Sequence, residues 1–140
     1  MNISLYMEKK DIFRAFNKLY FEMLEFMNNN VDDKNKSFKT FYRKNYLLKR
    51  ANIKLFIKKW YENISVLYYK EILDGNIDYF LNKDYNSDLE KTGDLKNELS
   101  MGYHIEYMKN IYYSLDKNLV DNFVLYVQKI TQLSILYYKL

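Results

Sequence analysis

Apolar side chains recur every three to four residues along most of the chain, which is the spacing of one face of an α-helix. A first helix is predicted from about Ser4 or Asp11 to Met27, with an apolar face formed by Ile12, Phe13, Phe16, Leu19, Tyr20, Met23, Leu24 and Met27. The Asn- and Asp-rich run 28–33 is expected to end this helix, because these side chains favour turns and caps over helix interiors.

A second helical region is predicted from near Ser37 to about Leu73, and Asn52 could break it by capping a new start. Its expected core residues are Phe38, Phe41, Tyr42, Ile53, Phe56, Trp60, Ile64, Leu67, Tyr68 and Ile72. Gly75 suits the left-handed position that ends many helices. Asn76 can cap the short helical turn that is expected at 77–82.

The polar stretch 83–94 is expected to form a surface loop. Further helices are predicted over 94–115 and from 118 to about 138, and further aromatic residues assigned to the core are Tyr79, Phe80, Tyr112 and Phe123. No internal repeat or linker divides the chain. The pattern therefore predicts one all-α domain over residues 1–140, a bundle of about four long helices plus short helical turns, packed either antiparallel or orthogonally.

Composition narrows the class of protein. Proline is absent and glycine occurs three times, which disfavours the many tight turns of a β-sandwich or barrel. The absence of cysteine excludes disulfides, thiolate metal ligands and cysteine nucleophiles. The first residues lack the pattern of a signal peptide, and no stretch matches the roughly 18 to 20 apolar residues of a membrane span. We therefore expect a cytoplasmic, intracellular protein without a transmembrane segment.

Charge is distributed very unevenly along the chain. Between Lys34 and Lys59 there is no acidic residue, and ten basic ones: Lys34, Lys36, Lys39, Arg43, Lys44, Lys49, Arg50, Lys54, Lys58 and Lys59. The rest of the chain has twelve basic and eighteen acidic residues, so its net charge is −6 against +10 for this segment. The overall charge of +4 thus conceals a molecule with two regions of opposite sign.

Helical geometry places many of these charges together. At about 100° per residue, six of them would lie within about 100° of arc on one continuous helix: Lys36, Lys39, Arg43, Arg50, Lys54 and Lys58. A solvated helix face ordinarily mixes charge signs, because like charges four residues apart repel each other. The predicted partner is therefore an acidic protein surface or nucleic acid, with anionic lipid as a further candidate, unless the face is simply solvated or neutralises the chain's own acidic residues.

The acidic stretch from Asp74 to Glu90 contains the first ligand positions of a calcium-binding loop, but the later required positions are missing. Asp84, Asn86 and Asp88 have the spacing of the first EF-hand ligands. The sixth position is Leu89 where glycine is required, and the twelfth is Leu95 where a bidentate glutamate is required. The sequence therefore predicts no metal site.

No arrangement of residues typical of catalysis is visible. His104 is the only histidine, and Glu106 and Tyr107 are its only nearby functional groups. A single histidine on a helix is usually structural. A phosphate-binding glycine loop, a Gly-x-Ser-x-Gly sequence and a zinc-finger or RRM signature are all absent. We therefore expect neither an enzyme nor a cofactor.

Two stretches of the sequence resemble a known group of proteins. They are residues 76–85 (NIDYFLNKDY), preceded by 57–61 (IKKWY), and residues 126–134 (YVQKITQLS). They resemble an uncharacterised group of small helical proteins of large nucleocytoplasmic DNA viruses, over about two thirds of the chain. The abundance of Lys, Asn, Tyr and Ile, whose codons are rich in A and T, fits such a genome. The resemblance implies a helical fold and a location in the host cell or virion, and it implies no activity.

The function predicted from the sequence is that of a non-catalytic interaction or adaptor protein that presents a cationic helix face to an acidic partner. The alternative is sequence-independent nucleic-acid binding through the same face.

Overall fold

The computed structural model describes residues 8–32, 34–82 and 101–139, and every regular element within these ranges is helical. The elements are α1 (Lys9–Asn30), α2 (Lys36–Ala51), α3 (Lys54–Trp60), a π-helical turn (Tyr61–Ser65), α4 (Val66–Leu73), α5 (Ile77–Asn82), α6 (Met101–Ser114) and α7 (Lys117–Lys139). The π-helical turn joins α3 and α4 into one continuous rod. The predicted all-α class is confirmed.

The first and last described helices form an antiparallel pair. Near one end of the pair the rings of Phe13 and Tyr137 lie 5.8 Å apart, and near the other end those of Phe26 and Phe123 lie 6.3 Å apart. The rod formed by α3, the π-helical turn and α4 also runs antiparallel to α7, because Tyr61 stacks on Tyr138 at its start while Gln128 donates to the carbonyl of Ile72 at its end. α7 is thus packed between two antiparallel neighbours.

Helix α2 crosses the other side of α1. The hydroxyl of Tyr20 donates to Oδ1 of Asn45 over 2.7 Å, and both side chains are buried. Helix α6 covers this junction, with Tyr107 packed edge-on against Phe38 at 5.4 Å between ring centroids. The packing fixes which side of α2 faces the core, and therefore which side faces solvent.

The observed helix boundaries can be compared with the helix ends that Asn and Asp residues predicted. Asn52 leaves helical geometry (φ −158°, ψ 75°) between α2 and α3, so the predicted break is confirmed. The predicted capping by Asn52 was wrong, because the residue before α3 is Ile53 and no side chain caps that helix. The prediction that the run 28–33 ends the first helix is confirmed, although α1 ends at Asn30, three residues beyond the predicted last residue Met27. The side-chain amide of Asn30 donates back to the carbonyl of Phe26, one turn earlier, over 2.8 Å. The predicted loop 83–94 and helical residues 94–100 lie outside the described residues.

The end of α4 has the predicted glycine cap. Gly75 has a φ of +83° and donates to the carbonyl of Ile72, while Asn76 donates to the carbonyl of Glu71. These two bonds form a Schellman motif, which satisfies the last carbonyls of a helix. The side chain of Asn76 then accepts from the amide of Tyr79, as expected for a cap of the following helix.

The π-helical turn changes which residues of α4 are buried. Its extra residue shifts every later position by about 100° relative to an uninterrupted helix, so Tyr68 replaces Leu67 in line with Trp60. Tyr68 is fully buried, whereas Leu67 is 43% exposed and its predicted place in the core was wrong. The same prediction was wrong for Tyr79, which is 47% exposed on the short α5.

None of the described helices is long and apolar enough to cross a membrane.

Candidate functional site: a cationic helix face

The structure divides the six predicted binding residues between two helices. Lys36, Lys39, Arg43 and Arg50 lie on α2, and Lys54 and Lys58 lie on α3. All are exposed except Lys39. Because the backbone leaves helical geometry at Asn52, the predicted single arc of charge was wrong beyond Arg50. By helix geometry, the exposed charges that share one face of α2 are Lys36, Arg43 and Arg50, each seven residues from the next.

Lys39 and Lys49 of the basic segment each contact a residue of α1. The ammonium of Lys39 donates to Oδ1 of Asn28 on α1 over 2.6 Å. The ammonium of Lys49 lies 4.5 Å from the ring centroid of Phe21, where the aromatic face attracts a cation. These contacts join α2 to α1, so Lys39 is a structural residue as well as a predicted binding residue.

Among the described residues, no acidic side chain forms an ion pair with the exposed charges of the face. These charges are those of Lys36, Arg43, Arg50, Lys54 and Lys58. The ion pair between Lys10 and Glu8, at 3.6 Å, lies at the start of α1 and outside this segment. For the part of the chain that is described, this disfavours the reading in which the basic face neutralises the protein's own acidic residues.

A groove of about 750 Å³ runs beside α2. Its lining combines charged, aromatic and aliphatic side chains: Glu25, Tyr42, Arg43, Tyr46, Leu47, Lys49, Arg50 and Ile53. The groove brings Arg43 and Arg50 together, but not Lys36, Lys54 or Lys58. Leu47 is 67% exposed, and its position on the charged side of α2 was a signal in the sequence that the predicted site left out.

Glu25 is held in this groove by two tyrosines from α2. The hydroxyls of Tyr42 and Tyr46 each donate to Oε1 of Glu25 over 2.5 Å. These hydrogen bonds lower the pKa of Glu25, while burial, followed by the bond to Glu25, raises the pKa of both phenols. At neutral pH the site therefore contains a carboxylate anion with two neutral donors. Periodicity alone could not reveal it, because its members are 17 and 21 residues apart.

His104 lies in the core and away from this groove. It is 1% exposed, and the rings of Tyr20, Phe41 and Trp60 surround it at 5.2 to 5.6 Å between centroids. Neither ring nitrogen has a hydrogen-bond partner in the structure as described. Burial lowers the pKa of His104 to about 4, so the imidazole is neutral at neutral pH. This environment is that of a packed core residue.

The described part of the chain contains no cluster of side chains of the kind that bind metal ions. In residues 8–32, 34–82 and 101–139, no group of three or more His, Cys, Asp or Glu side chains could hold a metal ion. The incomplete EF-hand sequence that begins at Asp84 lies outside these ranges.

Comparison of the chain with protein-family models, curated proteins and solved structures gave no significant match. Function must therefore be inferred from the chain's own side chains.

Proposed function

We propose that this protein is a non-catalytic interaction module that presents the exposed cations of α2 and α3 to an acidic protein partner. The observation that carries the proposal is that Arg43, Arg50 and Lys54 form no ion pair with any described acidic residue, on helices whose opposite sides are buried in the core. Repulsion between like charges is relieved when an acidic surface covers them. A rigid helix also holds the charges in position before binding, which lowers the entropic cost of association.

The test compares two variants with the same change in net charge. Arg43→Glu, Arg50→Glu and Lys54→Glu are combined in one protein. The matched control combines Lys18→Glu, Lys70→Glu and Lys117→Glu, which are exposed on other helices. We expect the wild-type protein and the control to bind a labelled poly-glutamate peptide, measured by fluorescence anisotropy, and the first variant to lose that binding. Affinity should fall between roughly 50 and 200 mM salt, because exposed charges are screened.

Nucleic acid is the other predicted partner, and the same titration decides between the two. Duplex and single-stranded DNA and RNA are measured beside the peptide. A nucleic-acid partner would bind at least tenfold more tightly than the peptide and show the steep salt dependence of counterion release. That result would replace the acidic-protein proposal. If none of the probes binds saturably at low salt, both partner classes are excluded.

A further inference from the structure

The groove beside α2 has a mixed lining that charge alone does not explain. Leu47 lies one turn from both Arg43 and Arg50 on the same side of the helix, and Ile53 lines the groove beyond them. A leucine that is 67% exposed contributes little to the core. Its position between Arg43 and Arg50, neither of which is ion-paired to a described acidic residue, provides an apolar contact flanked by positive charge.

The same lining makes the groove a poor track for a phosphate backbone. Glu25 places a fixed negative charge in it, and a nucleic acid carries an anion at every nucleotide. The hydroxyls of Tyr42 and Tyr46 are bound to that carboxylate, and the two rings pack against each other at 5.1 Å, which covers part of the ring surface on which a base would stack. A peptide can avoid this repulsion, because it can carry its acidic residues only where the arginines are.

We propose that the groove binds an acidic amphipathic helix that buries an apolar side chain against Leu47 and Ile53. Acidic residues of the partner would pair with Arg43 and Arg50. These two arginines are separated by a rise of about 10.5 Å, or seven helical residues. A helix lying along α2 would therefore carry acids about seven residues apart, with an apolar residue between them on the same face. This inference rests on the proposed function and adds to it the chemistry of the partner.

The experiment uses two synthetic peptides of identical composition and charge. In the first, a leucine lies on the acidic face, between glutamates seven residues apart. In the second, that leucine is exchanged with a polar residue on the opposite face. We expect the full-length protein to bind the first peptide about tenfold more tightly, which is the effect of burying much of one leucine side chain. Isothermal titration calorimetry measures both affinities.

Two serine variants test whether Leu47 causes the preference for the first peptide. Leu47→Ser should remove the tenfold preference while weak binding of both peptides persists through the arginines. Leu73→Ser is the matched control, since Leu73 is 42% exposed in a different, apolar groove between α4 and α7. This variant should keep the preference. Both substitutions are at exposed sites, and circular dichroism checks that each protein remains folded.

Each contrary outcome removes a different part of the inference. Equal binding of the two peptides would overturn the groove proposal and leave the general charge-driven interaction intact. Loss of the preference in Leu73→Ser but not in Leu47→Ser would place the apolar contact elsewhere and also overturn it. Absence of binding to either peptide would reject the proposed function as well. A labelled copy of the first peptide tests competition. If single-stranded RNA displaces it at a lower concentration than the unlabelled peptide does, the groove prefers nucleic acid and the proposal is overturned.

Discussion

At the scale of single residues, the burial of His104 makes the free energy of unfolding depend on pH in the acidic range. An exposed histidine has a pKa near 6.5, whereas burial lowers the pKa of His104 to about 4. Between these values the unfolded chain binds a proton that the folded protein does not, so the free energy of unfolding falls as pH decreases from about 6.5 to about 4. The loss attributable to this side chain is on the order of 3 kcal/mol when the decrease is complete.

Urea unfolding of the wild-type protein and of His104→Leu at pH 7 and pH 4.5 measures this contribution. The leucine variant should lose less stability than the wild type on acidification, because it has no imidazole to protonate. Other titrating groups, Glu25 among them, are common to both proteins and cancel in the comparison. Equal pH dependence of the two proteins would show that His104 is accessible to protons in the folded state.

At the scale of elements, a buried chain of hydroxyl groups joins the π-helical turn to α7. Ser65 and Ser134 are fully buried with their oxygens 2.6 Å apart, and Ser134 also donates to the carbonyl of Thr131 over 2.8 Å. A hydroxyl has one proton to donate. Ser65 is therefore the donor and Ser134 the acceptor between the two serines, and the two partners are not equivalent.

This asymmetry predicts unequal costs of substitution. Ser134→Ala leaves the Ser65 hydroxyl buried without its acceptor and should lower the free energy of unfolding by about 1 to 3 kcal/mol. Ser65→Ala should cost less, because Ser134 keeps its bond to the Thr131 carbonyl. The double variant should cost less than the sum of the two, since no orphaned donor remains. Urea denaturation of all three variants gives the values. A larger loss for Ser65→Ala would reverse the assigned direction.

At the scale of the whole molecule, α7 contacts α1, α3, the π-helical turn and α4. The last described helix is therefore packed against the first one and against the middle of the chain, so we expect these elements to unfold together. Trp60, the only tryptophan, is fully buried at this junction and donates from Nε1 to Thr131 over 3.0 Å. Its fluorescence should therefore change together with the far-ultraviolet circular dichroism in one urea transition, as in a single cooperative domain. Midpoints that differ between the two signals would contradict the prediction of one domain over residues 1–140.

The sequence by itself determined the features that depend on neighbours a few residues away. The helical class follows from apolar spacing and the Schellman ending follows from Gly75. The break near Asn52 was also predicted, although the Asn52 side chain does not cap α3 as expected. The π-helical turn could not be read in the same way, because its buried Ser65 is stabilised by Ser134, 69 residues further along the chain. The exposure of Leu67, which was expected in the core beside Tyr68, follows from the change of register at that turn.

The candidate site shows the same division. The uninterrupted run of basic residues and the solvent side of α2 follow from local periodicity, which places Arg43 and Arg50 correctly on an exposed face. Only the tertiary structure decided that Lys39 and Lys49 are occupied by Asn28 and by the ring of Phe21 on α1. It also brought the carboxylate of Glu25 into the cationic groove. The physical reason is that periodicity describes the face of one helix, whereas the charge that remains free on that face depends on which helix packs beside it.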